Sequence, residues 1–197
     1  MDLIIINGAS ASDKMTVGQA LAKALGYNLM YNHLTIEPVL ELFGKYDITI
    51  INRLRSVLFE ELVRKGSNGI IFTCCLDLDE ICEKFWLLEQ IDLIKEQLLI
   101  YRDNEPLNVY FVTLLADLDT RLERNTTQNR LDYKRSKRDL QLSEQLLLKD
   151  KDIRCVLQDE ERRFYKVIKD ITIVNDNLSI DEQINLIKSL LLESQSE

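Results

Sequence analysis

The segment GASASDKMT, residues 8 to 16, carries the residue types that hold a phosphate: an initial glycine, small hydroxyl residues, a lysine and a threonine. It lies between an apolar run, Leu3 to Ile6, and a stretch with helical periodicity. In such a loop the backbone N–H groups of Ser10, Ala11, Ser12 and their neighbours converge on the anion. A helix N-terminus adds a favourable dipole, and a lysine adds a point charge. The pattern that does this is G-x-x-x-x-G-K-[ST]. Gly8 and Lys14 keep its spacing, but Asp13 stands at the second glycine and Met15 at the hydroxyl that would ligate Mg²⁺. Thr16, one position on, can still donate to a phosphate or meet a metal. Asp13 is the heavier departure. At an effective dielectric near 20 and about 5 Å, each unit of like charge costs about 3 kcal/mol. Aspartate is also favoured at a helix N-terminus, so the alternative is that Asp13 caps its own helix in place of the anion. A working phosphate site and a vestigial one both remain open at this point.

Other reactive groups cluster at the ends of apolar runs. The lone histidine, His33, follows Asn32 after the short run Leu29 to Tyr31. With its ordinary pKa it suits taking a proton from a hydroxyl, with a substrate hydrogen bond or a structural turn as alternatives. Asp77 and Asp79 follow the run Gly69 to Cys75 and could hold Mg²⁺ through water; Asp79 could equally cap the next helix. Arg121, Arg124, Arg130, Lys134, Arg135, Lys137 and Arg138 are seven of 25 basic residues, packed into 18 positions of a chain with net charge -8. A mobile basic lid of this kind suits phosphoryl transfer, which relies on positioning and positive charge.

The elements that must position these groups alternate. Short apolar runs read as strands at Leu3 to Ile6, Leu29 to Tyr31, Gly69 to Cys75, Val109 to Leu115 and Ile171 to Val174. Helical periodicity covers 15 to 25, with Val17, Ala20, Leu21, Ala24 and Leu25 on one face. It recurs over 36 to 43, 51 to 64, 79 to 100, 118 to 124, 140 to 149, 160 to 168 and 180 to 192. Residues 125 to 138 show no period. Strand–helix alternation implies one three-layer α/β domain over residues 1 to 197, with a parallel sheet and ligands beyond the carboxyl ends of its strands.

Composition narrows the partners. The acidic balance argues against general nucleic-acid binding, and no apolar run reaches the roughly 18 residues of a membrane span. The opening MDLIII lacks a basic leader, so no signal peptide is expected. Cys74, Cys75, Cys82 and Cys155 form no C-x-x-C pair, and the plain reading is reduced thiols in a cytoplasmic protein, with Cys74 and Cys75 in the core.

The segment from residue 8 to 37, GASASDKMTVGQALAKALGYNLMYNHLTIE, resembles the opening of the shikimate-kinase-like branch of the P-loop kinases. Within it, the chain is most similar to bacterial proteins, often labelled AAA-type, with a GKMTVGQ loop followed by an NHxT segment. The later segments NVYFVTLL and RLERNTTQNRLDYKRSKRD are similar to the fourth strand and lid of that set. The resemblance implies a five-stranded sheet in the order 2-3-1-4-5, a basic lid at about 125 to 150, and ATP with Mg²⁺ as cofactors. It implies transfer of phosphate from a nucleotide to a small-molecule hydroxyl. Lys14, Arg124 and Arg130 would act on the phosphates, and Asn32, His33, Arg55 and Asp77 on the acceptor. The family's D-x-D carboxylates fall on Tyr31 and His33, and the glutamate of its F-R-x-x-E motif on Leu58, which makes shikimate itself a poor acceptor. Two other readings stand beside this one. The chain could be a degenerate kinase fold used for binding or regulation. It could also be a nucleoside or nucleotide kinase, a class whose GKGT loops likewise lack a hydroxyl directly after the lysine.

Overall fold

In the computed structural model, which describes residues 1–149 and 152–193, the apolar run Asp2–Asn7 forms β1 at the centre of a parallel sheet. β3 (Gly69–Thr73) and β4 (Asn108–Leu115) flank it; β2 (Asn28–Tyr31) and β5 (Val167–Val174) lie outermost. The order is β2-β3-β1-β4-β5, as expected. Residue 150 of the expected lid and residues 194–197 of the expected domain lie outside the described residues.

Helices cover both faces. Strand geometry sends alternate side chains to opposite sides, so Leu3 and Ile5 enter one core and Ile4 and Ile6 the other. The first core packs Phe59 and Val63 of α3 (Ile48–Arg64) with Ile91 and Ile94 of α4 (Ile81–Tyr101). The second packs Val17 and Leu21 of α1 (Lys14–Leu25) with Ile184 and Ile187 of α9 (Ile180–Glu193). Each such buried side chain contributes roughly 1.5–3 kcal/mol, before the entropy of ordering it is subtracted.

Several boundaries depart from the sequence expectations, each for a local reason. The helix after β2, α2 (His33–Phe43), starts at His33 rather than residue 36, which puts His33 in a helical turn. The helix expected over 160 to 168 stops at Tyr165: α8 is Asp159–Tyr165, Lys166 turns left-handed at φ 53, and β5 begins at once with Val167. A capping box between Gln158 and Glu161 fixes the other end of α8. A helix, α6 (Gln128–Tyr133), lies in the segment that showed no period. It is preceded by α5 (Leu118–Arg124) and followed by a 3-10 turn at Arg135–Lys137 and by α7 (Leu140–Lys149). β3 ends at Thr73, leaving Cys74 buried but Cys75 only half-buried. Ala24 is exposed. Glu80, and not Asp79, occupies the N-cap of α4. Among the described residues, no helix is long and apolar enough to cross a membrane.

Asn7 turns the end of β1 into a junction. Its side chain donates to the carbonyls of Leu76 and Cys155 and accepts from the Leu76 N–H at 2.8 Å. The segment after β3 and the segment before α8 are thereby held against the end of β1. At the far end of the sheet, Tyr27 closes over Gly69, and its hydroxyl donates to Asp2. A Cβ on Gly69 would meet that ring at 2.5 Å. Gly69→Ala is therefore expected to destabilise the fold by about 1–3 kcal/mol, read from the midpoint of urea unfolding. An unchanged midpoint would show that the Tyr27 ring is not fixed there.

Candidate active site

The loop between β1 and α1 packs tightly against β4 and is left-handed at two positions. Gly8 passes so close to β4 that a Cβ would lie 2.5 Å from the Leu114 carbonyl oxygen and 2.6 Å from Ser12 Oγ. Ala11 and Asp13 both adopt left-handed backbone, at φ 64 and φ 62. Aspartate tolerates that region better than most residues, which lets it replace glycine here. Lys14 Nζ folds back onto the loop, donating to the carbonyls of Gly8 and Ala9 at 2.6 Å each and to Ser12 Oγ at 3.3 Å. Burial lowers the pKa of this ammonium.

Asp13 occupies the N-cap position of α1 but does not cap it with its side chain. Its side chain makes no hydrogen bond to the helix; instead Oδ2 pairs with Arg124 Nε at 2.9 Å. Burial raises the Asp13 pKa, opposed by Arg124, Lys134, Lys14 and Arg130. The other nitrogens of Arg124 are also bound, Nη1 to Asn175 Oδ1 at 3.0 Å and Nη2 to the Asn175 carbonyl at 2.8 Å. Asn175 in turn donates to the Ser12 carbonyl and to Gln183. The Arg124 fork is thus spent on Asp13 and on the turn after β5. Arg130 differs: it is only 7 % exposed, it lines the cleft, and its Nε has no hydrogen-bond partner. Lys134 is pushed well below its ordinary pKa, first by burial and then by Arg130, Lys14 and Lys137. Such a gathering of cations favours an anion between them.

The cleft has a volume of about 580 Å³. Of the residues singled out from sequence, Ser10, Ala11, Ser12, Asp13, Lys14, Met15, Thr16, Asn32, His33, Asp77, Arg124 and Arg130 line it. Gly8 shapes the loop behind them. Arg55 does not line it. That guanidinium is buried 5.0 Å from the Trp86 ring and donates to Thr35, Asn52 and Asn32. Its expected place at the substrate is corrected to one behind the wall, where it fixes Asn32.

His33 sits in the first turn of α2, one helical turn before Glu37. Its Nδ1 meets Glu37 Oε1 at 2.6 Å. Burial, together with Lys134 and Lys137, outweighs this carboxylate and lowers the His33 pKa to about 4. The ring is therefore neutral near pH 7, and its charge change is not at the ordinary value assumed from sequence. With Nδ1–H donating to Glu37, Nε2 carries the lone pair. For Glu37 burial acts upward, but hydrogen bonds from His33 and from the Ser136 hydroxyl and N–H prevail and take it to about 2.

Glu37 also docks the segment expected to form the lid. Ser136 reaches it from the 3-10 turn, Arg135 pairs with Glu41, and Tyr133 stacks edge-on against Tyr31 with ring centroids 5.8 Å apart. From α6, Asn129 donates to Thr16 Oγ1 at 3.1 Å and to Gln19. The two groups expected at Mg²⁺ are thus both engaged, because Asp77 Oδ1 accepts from the N–H groups of Asp79 and Arg154. Asp79 itself pairs with Arg154. Among the described residues, no group of three or more His, Cys, Asp or Glu is placed to hold a metal ion.

Sequence reasoning brings residues 31 to 37 and 175 to 177 to the carboxyl ends of the strands without singling out Glu37 or Asn175, and it missed Tyr46, Glu83, Asn129 and Ser136. Only Glu37 had a usable signal, its i,i+4 spacing from His33, hidden because the helix start was set too late. The others reach the site through tertiary packing.

The part-buried His33 makes stability depend on pH. An unfolded chain takes up its proton near pH 6.5 while the fold refuses it down to about 4, so stability falls as pH drops through that window. The loss is expected to reach about 3 kcal/mol at most, read from urea midpoints. His33→Gln should flatten the slope; an equally steep slope in the variant would place its origin elsewhere.

No protein-family model matches the sequence, and no curated protein matches it. Solved structures do. A shikimate kinase from Acinetobacter baumannii in complex with shikimate is 17% identical, over 99% of this chain and 95% of that one, with a TM-score of 0.54. A sugar kinase from Janibacter sp. HTCC2649, solved unliganded, is 14% identical over 97% and 94%, with a TM-score of 0.58. A gluconokinase from Sinorhizobium meliloti 1021 is 16% identical over 100% and 98%, with a TM-score of 0.51. At these identities the likeness establishes the fold, which is that of the P-loop kinases.

Proposed function

We propose that the protein is an ATP-dependent phosphotransferase acting on a hydroxyl of a small molecule. The observation that carries this reading is Arg130: a nine-tenths buried guanidinium with an unpartnered Nε, facing the same cleft as Lys14 and Lys134. An orphaned buried donor is costly, and an anion would satisfy it. In this reading Lys14 exchanges the carbonyls of Gly8 and Ala9 for the β- and γ-phosphates. Backbone N–H groups of residues 9 to 16 hold the remainder. Arg130 and Lys134 stand over the transferring group. Arg124 acts one step removed, by neutralising Asp13 and holding the loop to Asn175. Asp13 therefore does not present a bare carboxylate to the phosphates.

His33 then accepts the acceptor hydroxyl through Nε2, held in orientation by Glu37. Its lowered pKa suits orienting the hydroxyl more than stripping its proton early. A loose transition state, in which the nucleophile needs little activation, tolerates that. Mg²⁺ would come with the nucleotide's own oxygens and water, with Thr16 and Asp77 as its protein partners after the lid releases Thr16.

A second reading has its own support. The loop is already satisfied internally, with Lys14 on its carbonyls and Asp13 on Arg124, as in a fold kept for binding or regulation. Titration calorimetry with Mg-ATP tests the pair. Under the first reading, Lys14→Ala and Arg130→Ala each weaken binding by about 10- to 100-fold, the value of a charge-assisted bond. ADP release then appears with one member of a panel of sugars, hydroxy acids, nucleosides and nucleoside monophosphates. No binding at about millimolar Mg-ATP, with Lys14→Ala indistinguishable, would overturn it. Binding gained only in Asp13→Gly would favour the second.

A further inference from the structure

Three of the four cysteines gather around the Lys14 ammonium, and they are not equivalent. Cys74 and Cys155 are buried, and burial pushes both thiols up, Cys155 to about 12. Cys74 is further committed as a donor to Asn7 Oδ1. Cys75, the next residue, lies two positions beyond the end of β3. It is half-buried and forms part of the cleft wall with Lys14, Arg130 and Lys134. All three cations interact electrostatically with it, from α1, α6 and the residue after α6. The groups of opposite effect that line the same cleft are Asp13, Tyr46, Asp77 and Glu83, with Asp13 paired to Arg124.

The unpartnered, nine-tenths buried Arg130 Nε marks this corner as a seat for negative charge. A thiolate is such a charge, and neighbouring cations are what make a cysteine nucleophilic. We infer that Cys75 is the reactive thiol of this protein, a site of modification by small electrophiles and by peroxides. With hydrogen peroxide, the thiolate sulfur attacks one oxygen; the S–O bond forms, the O–O bond breaks, and hydroxide leaves to become water with a solvent proton. Sulfur is oxidised by two electrons to the sulfenic acid and the peroxide is reduced. The added group lies in the cleft beside Lys14.

Peptide mapping after short pulses of iodoacetamide, and separately of hydrogen peroxide, tests this on the full chain. Cys75 is expected to be modified ahead of the exposed Cys82 by about tenfold near pH 7, with Cys74 and Cys155 unmodified. Lys134→Gln, checked for an unchanged melting temperature, is expected to slow Cys75 several-fold and leave Cys82 alone. Modification of Cys82 ahead of Cys75, or a Cys75 rate indifferent to Lys134→Gln, would overturn the inference. Neither measurement requires ATP turnover, so the inference stands or falls apart from the kinase reading.

Discussion

The Arg124 guanidinium is the constraint on which the candidate site depends. An anion loop with a carboxylate in it should repel its ligand. Arg124 removes that conflict by pairing with Asp13 through Nε, while its remaining nitrogens hold the side chain and carbonyl of Asn175. Asn175 bonds the carbonyl of Ser12, so loop, α5 and the turn after β5 form one hydrogen-bonded unit. The left-handed Asp13 is tolerable within this unit because its side chain is held by a partner. The charge that looked decisive in the sequence is spent inside the protein, and the field over the cleft is left to Lys14, Arg130 and Lys134.

A second set of hydrogen bonds joins the expected lid segment to the start of α2. Glu37 receives His33 from its own helix and Ser136 from the lid, so one carboxylate orients the ring and seats the lid together. Asn129 ties the lid to α1 at Thr16. These are hydrogen bonds among part-buried groups, each of modest net worth, and the two segments they join are short. The loop unit, by contrast, is anchored through the fully buried Asn175.

Much of the architecture was legible because the strands are short, apolar and covered on both faces. Leu3 to Ile6 could be nothing but an interior strand once helices were expected on either side. The errors fall where local pattern and tertiary structure part. Lys166 is an ordinary lysine in a left-handed turn, and nothing in its type marks the end of α8. Arg55 had the right spacing for a substrate clamp, yet Trp86, from a helix far along the chain, covers it. Glu83 comes to the cleft from a helix end, and Asn175 reaches Arg124 and the Ser12 carbonyl from a strand end; no one-dimensional pattern records either side-chain direction. The loop residues, by contrast, were legible as a group because their spacing is itself the structure. What could not be read was the sign of Asp13's effect, which depends on a partner 111 positions away.

The cover over Arg55 also has an optical consequence. Trp86 is the chain's one tryptophan, and its ring lies 5.0 Å from a guanidinium that is bonded to Asn32, the residue beside His33. Indole emission responds to nearby charge. The molecule thus carries a built-in fluorophore wired through a single arginine to the part of its cleft lined by Asn32 and His33, a label-free reporter on that wall.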